Sequence, residues 1–158
     1  MIIRKISFSD RTWIENLFIK EWASTRIVTK GKVYDANYLP GFIAEIENVK
    51  VGLITYRFEE NECEVMSLNS LKSGLGIGKT LLQKVVDKAK HKNCSRIWLI
   101  ATNDNIKAQK FYEDLGWELL KIHRNAIKES RKLKPEIPLL GFDGIPITDE
   151  YEYQFLLT

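Results

Sequence analysis

Cysteine, histidine and proline are scarce in this chain, and each scarcity removes a class of protein. Two cysteines, Cys63 and Cys94, stand among 158 residues, too few for the disulfide framework of a small secreted domain. They read as reduced thiols of a cytoplasmic protein. The two histidines, His91 and His123, build no Cys/His cluster of zinc-site spacing, so no metal is expected. Four prolines supply no Pro-rich linker between domains. No apolar run approaches the ~20 residues that cross a bilayer. The opening Ile2-Ile3-Arg4-Lys5-Ile6 is too short and too polar for a signal peptide, so no membrane partner is expected. Charge of one sign is missing too, with 24 Lys and Arg against 21 Asp and Glu. The longest basic cluster, residues 84–92, falls on the outer face of a predicted helix and lacks interleaved aromatics. It reads as a solvated helix face, and no nucleic-acid partner is expected.

What is present is the content of one soluble globular domain, 44% hydrophobic and 28% charged. The most informative stretch is Ser73-Gly74-Leu75-Gly76-Ile77-Gly78-Lys79-Thr80, running into the amphipathic segment from Thr80. Three glycines at alternate positions let the backbone curl and turn several N–H groups one way. A helix dipole behind them suits a phosphate or pyrophosphate.

Periodicity places a strand over residues 2–6 and a helix after Ser9-Asp10, with Trp13, Leu17, Phe18 and Trp22 at helical spacing. Residues 24–40 are polar and read as irregular. Strands over 42–46 and 49–58 meet at Glu47-Asn48 as a tight hairpin. In the run 62–68, Glu62, Glu64, Met66 and Leu68 alternate against Cys63, Val65 and Ser67. A helix to about residue 92 follows the glycine turn. Residues 96–102 form a near-continuous apolar run, as in a central strand covered on both faces. A second helix spans 105–115 and stops at Gly116. Strands over 117–123 and 151–157 and a short helix over 126–134 complete the chain. The Pro- and Gly-containing stretch 135–149 reads as a surface connection returning the last strand to the sheet. The fold class is α/β (α+β), with a mixed, mostly antiparallel sheet.

Two owners compete for the glycine turn. Gly78-Lys79-Thr80 ends like a Walker P-loop, but Ser73 stands where that pattern needs its first glycine. Nor does a P-loop explain the later segment Asn105-Ile106-Lys107-Ala108-Gln109-Lys110-Phe111-Tyr112-Glu113-Asp114-Leu115-Gly116-Trp117. Taken together, the two motifs resemble the GNAT superfamily of N-acetyltransferases over essentially residues 1–125. The family's cofactor loop, Arg/Gln-x-x-Gly-x-Gly/Ala, aligns with Ser73 to Gly78. Its later helix, Asn-x-x-Ala-x-x-Phe/Leu-Tyr-x-x-x-Gly-Phe, is filled by Asn105, Ala108, Phe111, Tyr112, Gly116 and Trp117. Ser73 departs from the family's Arg or Gln, leaving more of the phosphate binding to backbone N–H groups, with Lys72 or Lys79 able to compensate. Residues 126–158 lie outside the shared core and read as a branch-specific extension of the single 1–158 domain.

The resemblance implies a GNAT-like sheet with the cofactor loop at a strand-to-helix junction, and acetyl-CoA as co-substrate. It implies acetyl transfer to a primary amine, of a small molecule or a peptide, by direct attack in a ternary complex. A non-catalytic CoA-binding module of the same fold is the alternative. Cofactor contacts are expected from Leu68, Asn69, Ser73, Gly74, Leu75, Gly76, Ile77, Gly78, Lys79, Asn105 and Tyr112. Tyr112 matches the family's proton donor to the departing thiolate. Glu64, with Glu62 two residues earlier on the same strand face, is the candidate general base. Trp22, Arg26, Tyr34 and Asp35 are expected to line the acceptor, Arg26 suiting a carboxylate and Asp35 an ammonium. Cys63 points away from Glu62 and Glu64 and lacks a histidine partner, which disfavours an acyl-cysteine route. His123 reads as a hydrogen-bonded structural residue. The last strand is the segment able to exchange between subunits in a homodimer.

Overall fold

Residues 1–157 are described in a computed structural model. Alternation of apolar and polar residues favours extended chain, and nine strands form among the described residues. They are β1 (Ile2–Lys5), β2 (Arg26–Thr29), β3 (Lys32–Asp35), β4 (Gly41–Ile46), β5 (Val49–Glu59), β6 (Glu62–Ser70), β7 (Arg96–Thr102), β8 (Glu118–His123) and β9 (Glu150–Leu156). The helices are α1 (Arg11–Trp22), α2 (Ile77–His91), α3 (Ile106–Asp114) and α4 (Ala126–Leu133). Seven strands form one sheet in the order β1-β4-β5-β6-β7-β9-β8, and β2 and β3 form a separate ribbon. The β1–β4, β4–β5, β5–β6 and β8–β9 pairs are all antiparallel. No described helix is long and apolar enough to cross a membrane.

The described chain divides into two compact units, one of residues 1–12, 38–97 and 156–157, the other of 13–37 and 98–155. In the first, Glu47 and Asn48 both take positive φ, 50° and 63°. That is the two-residue turn whose twist matches a hairpin, and it sets Ile46 opposite Val49. Helix α2 turns Leu81, Leu82, Val85, Val86 and Ala89 inward, at the i, i+4 repeat of an amphipathic helix. Its approach to β5 depends on Gly52, where a Cβ would stand 2.5 Å from Ile77 Cγ2 and 2.9 Å from Leu81 Cδ1. At the entry to α1, Asp10 is 1% exposed. Both terminal guanidinium nitrogens of Arg4 donate to it at 2.8 Å, Lys50 stands 3.0 Å away, and the Ser7 N–H donates at 2.7 Å. Arg4 first, with the Ser7 N–H and Lys50 behind it, holds the Asp10 carboxyl far below the usual range.

Three local expectations are corrected. The cap before α1 is Ser7, paired with Asp10 across a single 3-10 turn, not Ser9-Asp10. The stripe α1 buries is Ile14, Leu17 and Phe18, with Trp22 left 40% exposed. The face alternation expected through residues 62–68 breaks at Met66. Tyr56 pairs with Val65 but Thr55 with Ser67, so Met66 is an extra residue, a β-bulge. Beyond it Ser67 and Asn69 join the face of Glu62 and Glu64, while Leu68, opposite Ile54, joins the face that α2 covers.

In the second unit, residues 24–37 are more ordered than their polarity suggests. Lys30 and Gly31, at φ 47° and 77°, turn β2 into β3, so that Arg26 faces Asp35 across the ribbon. The connection 135–149 is fixed by polar contacts. Asn103 Oδ1 accepts from the Thr148 and Asp149 N–H groups, and Asp104 Oδ2 accepts from the Phe142 N–H. Arg131 donates to the carbonyls of Ile137, Pro138 and Ile147. These bonds return β9 to pair with β8 in antiparallel register.

Burial also predicts how stability responds to alkali. Cys63 is fully buried and its thiol is pushed from 9.0 up to about 12, first by burial and then by Cys94. Burial raises Cys94 and Tyr56 in the first unit and Tyr112 and Tyr153 in the second. In each, the unfolded chain gives up its proton first, so the folded state's advantage is complete below the unfolded pKa and is lost above it. Urea midpoints should hold level to about pH 8 and fall steadily as pH climbs past 9. A midpoint unchanged through that range would contradict the buried placement of these groups.

Candidate functional site

The glycine turn lies in the first unit, on the path from β6 into α2. Gly74 and Gly76 adopt φ 77° and 69°, the left-handed region where only glycine sits without strain. Gly76 is the N-cap, no side chain caps the helix, and the first turn holds no acidic residue. The helix begins at Ile77, three residues before the expected Thr80. Consequently Gly78 and Lys79 belong to the first turn and not to the loop. The first intrahelical bond runs from the Thr80 N–H to the Gly76 carbonyl at 3.0 Å. The N–H groups of Ile77, Gly78 and Lys79 therefore have no partner within the helix. A Cβ built on Gly74 or Gly76 meets nothing within 4 Å, so the space before the turn is open. Such a turn holds an anion by backbone N–H groups and the positive end of a 15-residue helix. The Thr80 hydroxyl donates to the Gly76 carbonyl at 2.7 Å, closing the turn on itself instead of reaching toward a metal as a P-loop threonine would.

Upstream on β6, Glu62, Glu64 and Asn69 share the face opposite α2. Glu64 is 2% exposed and accepts from Arg57 Nε at 2.8 Å. Glu62 stands 3.1 Å from Arg96 Nε and is far more open. Asn69 brings a buried Oδ1 with no hydrogen-bond partner, an acceptor that a ligand N–H would satisfy. On the opposite face, burial keeps the Cys63 thiol protonated at neutral pH, which removes it as a nucleophile.

The second unit holds the remaining candidates. Asn105 is the N-cap of α3, its Oδ1 accepting from the Ala108 N–H at 3.2 Å. Gly116 ends the helix at φ 89°, the left-handed C′ position that glycine fills. Tyr112 is 7% exposed among Phe111, Trp117 and Tyr153, ring centroids 5.2, 5.7 and 6.2 Å away. Burial raises its phenol above the ordinary 10.0, so it is a proton donor over the whole neutral range. Of the acceptor candidates, Trp22 packs on Phe18 at 4.8 Å and Tyr34 lies opposite Ile27 in the ribbon. Asp35 Oδ1 accepts from the Asn37 N–H, and Arg26 pairs with Glu136 at 3.4 Å. Lys134 Nζ donates to the Arg26 carbonyl at 2.9 Å. The extension thus ties down the β2–β3 ribbon.

One cluster escaped the sequence. Glu152, 3% exposed, stands 3.2 Å from Lys30 Nζ and 2.9 Å from His123 Nε2. Lys30 also lies over the Trp98 ring at 4.7 Å. The alternation of Glu150, Glu152 and Gln154 with aromatics in β9 was its available signal, yet it reads as an ordinary polar face. His123 takes the hydrogen-bonded role expected of it. Among the described residues no three His, Cys, Asp or Glu side chains gather as metal ligands.

The sequence profile of the Acetyltransferase (GNAT) family matches residues 7–117. The protein YxbD of Bacillus subtilis (strain 168) is 43% identical over 138 residues, spanning 87% of each chain. YdhI of the same organism is 40% identical over 138 residues, spanning 87% of this chain and 86% of its own. Among solved structures, a GNAT family acetyltransferase from Elizabethkingia anophelis with acetyl-CoA bound superposes with a TM-score of 0.71. It shares 17% identity, over 99% of this chain and 97% of that one. Arabidopsis thaliana Naa50, in complex with the bisubstrate analogue CoA-Ac-MVNAL, gives 0.72 at 20% identity over 99% and 100%. The glycine turn at the head of α2, the capped α3 and a profile match over most of the chain converge: this chain belongs to the GNAT acetyltransferase family.

Proposed function

We propose that this protein is an N-acyltransferase that moves an acetyl group from acetyl-CoA to a primary amine by direct attack within a ternary complex. The observation that carries the reading is the open, uncapped N-terminus of α2 behind two left-handed glycines. It suits the coenzyme pyrophosphate, which here relies on backbone N–H groups and Lys79 because Ser73 supplies no guanidinium. The solved relatives named with acetyl-CoA and with a CoA-peptide bisubstrate analogue support this co-substrate and direct transfer. Their identities are too low to carry the acceptor across.

In the proposed reaction the neutral amine attacks the thioester carbonyl, an N–C bond forms, and the C–S bond breaks. Tyr112 gives its phenolic proton to the departing thiolate. The ammonium proton leaves through water toward the β6 carboxylates, with Glu64 first and Glu62 second. Asn69, Leu68 and Asn105 hold the pantetheine arm, and Trp22, Arg26, Tyr34 and Asp35 receive the acceptor. The compartment proposed is the cytoplasm, where both thiols stay reduced.

A CoA-binding module without turnover is the second reading, favoured only by Ser73 in place of the family's Arg or Gln. Calorimetry with acetyl-CoA, followed by thiol release against a panel of amines, separates the two. Binding with release supports the transferase, and binding without release on any amine supports the module. For the base, Glu64→Gln should depress the rate at neutral pH and recover in alkali, where an amine of pKa ~10 arrives already neutral. Because the neutral amide of that variant no longer balances the charge of Arg57, urea midpoints must accompany the pH profile. Profiles of Glu64→Gln and Glu62→Gln that both overlay wild type would remove both carboxylates and make Asp35 the next residue to test.

A further inference from the structure

The basic run of α2 is not the bare solvated face its sequence suggests. Lys84, Lys88 and Lys92 repeat every fourth residue, so they form one stripe along the helix. Lys84 Nζ lies 5.7 Å from the Phe42 ring centre and Lys92 Nζ 6.0 Å from that of Phe58. Tyr56 joins these rings, stacked on Phe42 at 5.9 Å and edge-to-face with Phe58 at 5.4 Å. The aromatics missing from the helix sequence come from β4 and β5 beneath it.

At the C-terminal end of this stripe a pocket of about 340 Å³ opens within the first unit. Four cations line it: Lys5 at the end of β1, Arg11 at the start of α1, and Lys88 and Lys92. Ile6, Leu39 and Pro40 give it an apolar wall, with Tyr56 and Phe58 as floor. No carboxylate lines the pocket, and none of the four cations pairs with an acid among the described residues. The adjoining Asp10 is already engaged by Arg4 and Lys50, and Asp87 accepts from Gln83. Arg11 Nη1 is buried with no hydrogen-bond partner, a costly state for a charged donor.

The helix dipole does not account for this cluster. Lys88 and Lys92 complement the negative end of α2, but Arg11 sits at the positive end of α1, where a cation is disfavoured. Convergent unpaired cations beside an apolar wall match a compact anion with an apolar body. We propose that this pocket binds a small organic dianion, a phosphate or dicarboxylate group facing Arg11 and Lys88 with its carbon portion against Ile6, Leu39 and Pro40. A nucleic acid fits poorly, because Phe42 and Tyr56 are each 3% exposed and offer no ring face for base stacking. The site is separate from the glycine turn, since the two lie at opposite ends of a helix about 22 Å long. It does not depend on the acetyltransferase reading.

The test is an amide-shift titration of the full chain with phenyl phosphate, inorganic phosphate and phenol. Phenyl phosphate should give saturable shifts at residues 5–6, 39–41 and 88–92, inorganic phosphate should bind more weakly, and phenol not at all. In Arg11→Gln/Lys88→Gln the phenyl phosphate affinity should fall at least about tenfold. Should that double variant fail to fold, Lys92→Gln, at an exposed position, should still weaken binding a few fold. No saturation by about 10 mM probe would overturn the proposal. So would shifts confined to residues 73–80, or affinity unchanged in the variants. Equal affinity for inorganic and phenyl phosphate would overturn the apolar-wall assignment.

Discussion

Valine at position 76 is expected to cost this protein most of its coenzyme affinity while leaving it folded. Gly76 stands at φ 69° as the N-cap of α2. A Cβ built there has no atom within 4 Å beyond its chain neighbours, so packing does not oppose the first side-chain carbon. It is opposed by the backbone, since a left-handed L-residue costs ~1–2 kcal/mol, somewhat more when β-branched. The branched group also occupies the open space that the N–H groups of Ile77 and Gly78 face. Losing two hydrogen bonds to charged phosphate oxygens, at ~1.5 kcal/mol each, corresponds to roughly a hundredfold in Kd. Gly31 supplies the control. It has φ 77°, nothing within 4 Å, and a place in the β2–β3 turn. Gly31→Val should lose comparable stability and keep its acetyl-CoA affinity. Calorimetry on both folded variants decides the matter. If Gly76→Val binds acetyl-CoA like wild type, the coenzyme phosphates are held elsewhere.

The features legible in the sequence are those that local geometry writes into residue type. Glycine at 74, 76 and 116 answers a positive φ, Asn105 answers an exposed helix N-terminus, and Glu47-Asn48 answers a two-residue hairpin. Helix α2 was legible because its buried residues recur with the helical period. The β2–β3 ribbon was not, since Arg-Ile-Val-Thr and Lys-Val-Tyr-Asp are too short and polar to stand out from a loop. The bulge at Met66 left a trace in the letters. Alternation in Glu-Cys-Glu-Val is interrupted by a second apolar residue, Met66, and resumes out of phase as Ser-Leu-Asn, although only the pairing partner on β5 identifies Met66 as the extra residue. Contacts between distant positions were hidden altogether. Nothing near Arg26 announces Glu136, 110 residues away, and nothing in 84–92 announces the rings of Phe42 and Phe58. A glycine turn is a local property, whereas the surroundings of Arg26 are assembled from segments far apart in the chain.

Replacing Tyr112 by Phe should separate binding from chemistry. The ring is held by Phe111, Trp117 and Tyr153, and Phe preserves all three contacts. The hydroxyl makes no hydrogen bond to another described residue, so stability should change by no more than about 0.5 kcal/mol. What disappears is a proton donor whose pKa burial has raised above 10.0. The sign matters for the pH profile. An acid with a raised pKa keeps its proton through the range in which an amine of pKa ~10 becomes neutral, so the wild-type rate should climb with pH without losing its donor. In Tyr112→Phe, kcat should fall by about a hundredfold or more, the usual contribution of general acid catalysis. The acetyl-CoA dissociation constant should stay near wild type, because the lost interaction belongs to the transition state. An acyl donor whose leaving thiol has a low pKa departs without protonation, so it should recover much of the lost rate. That rescue distinguishes a missing acid from a disturbed aromatic cluster, which would slow both donors alike. Wild-type turnover under conditions where chemistry limits the rate would take Tyr112 out of the mechanism and leave solvent to protonate the thiolate.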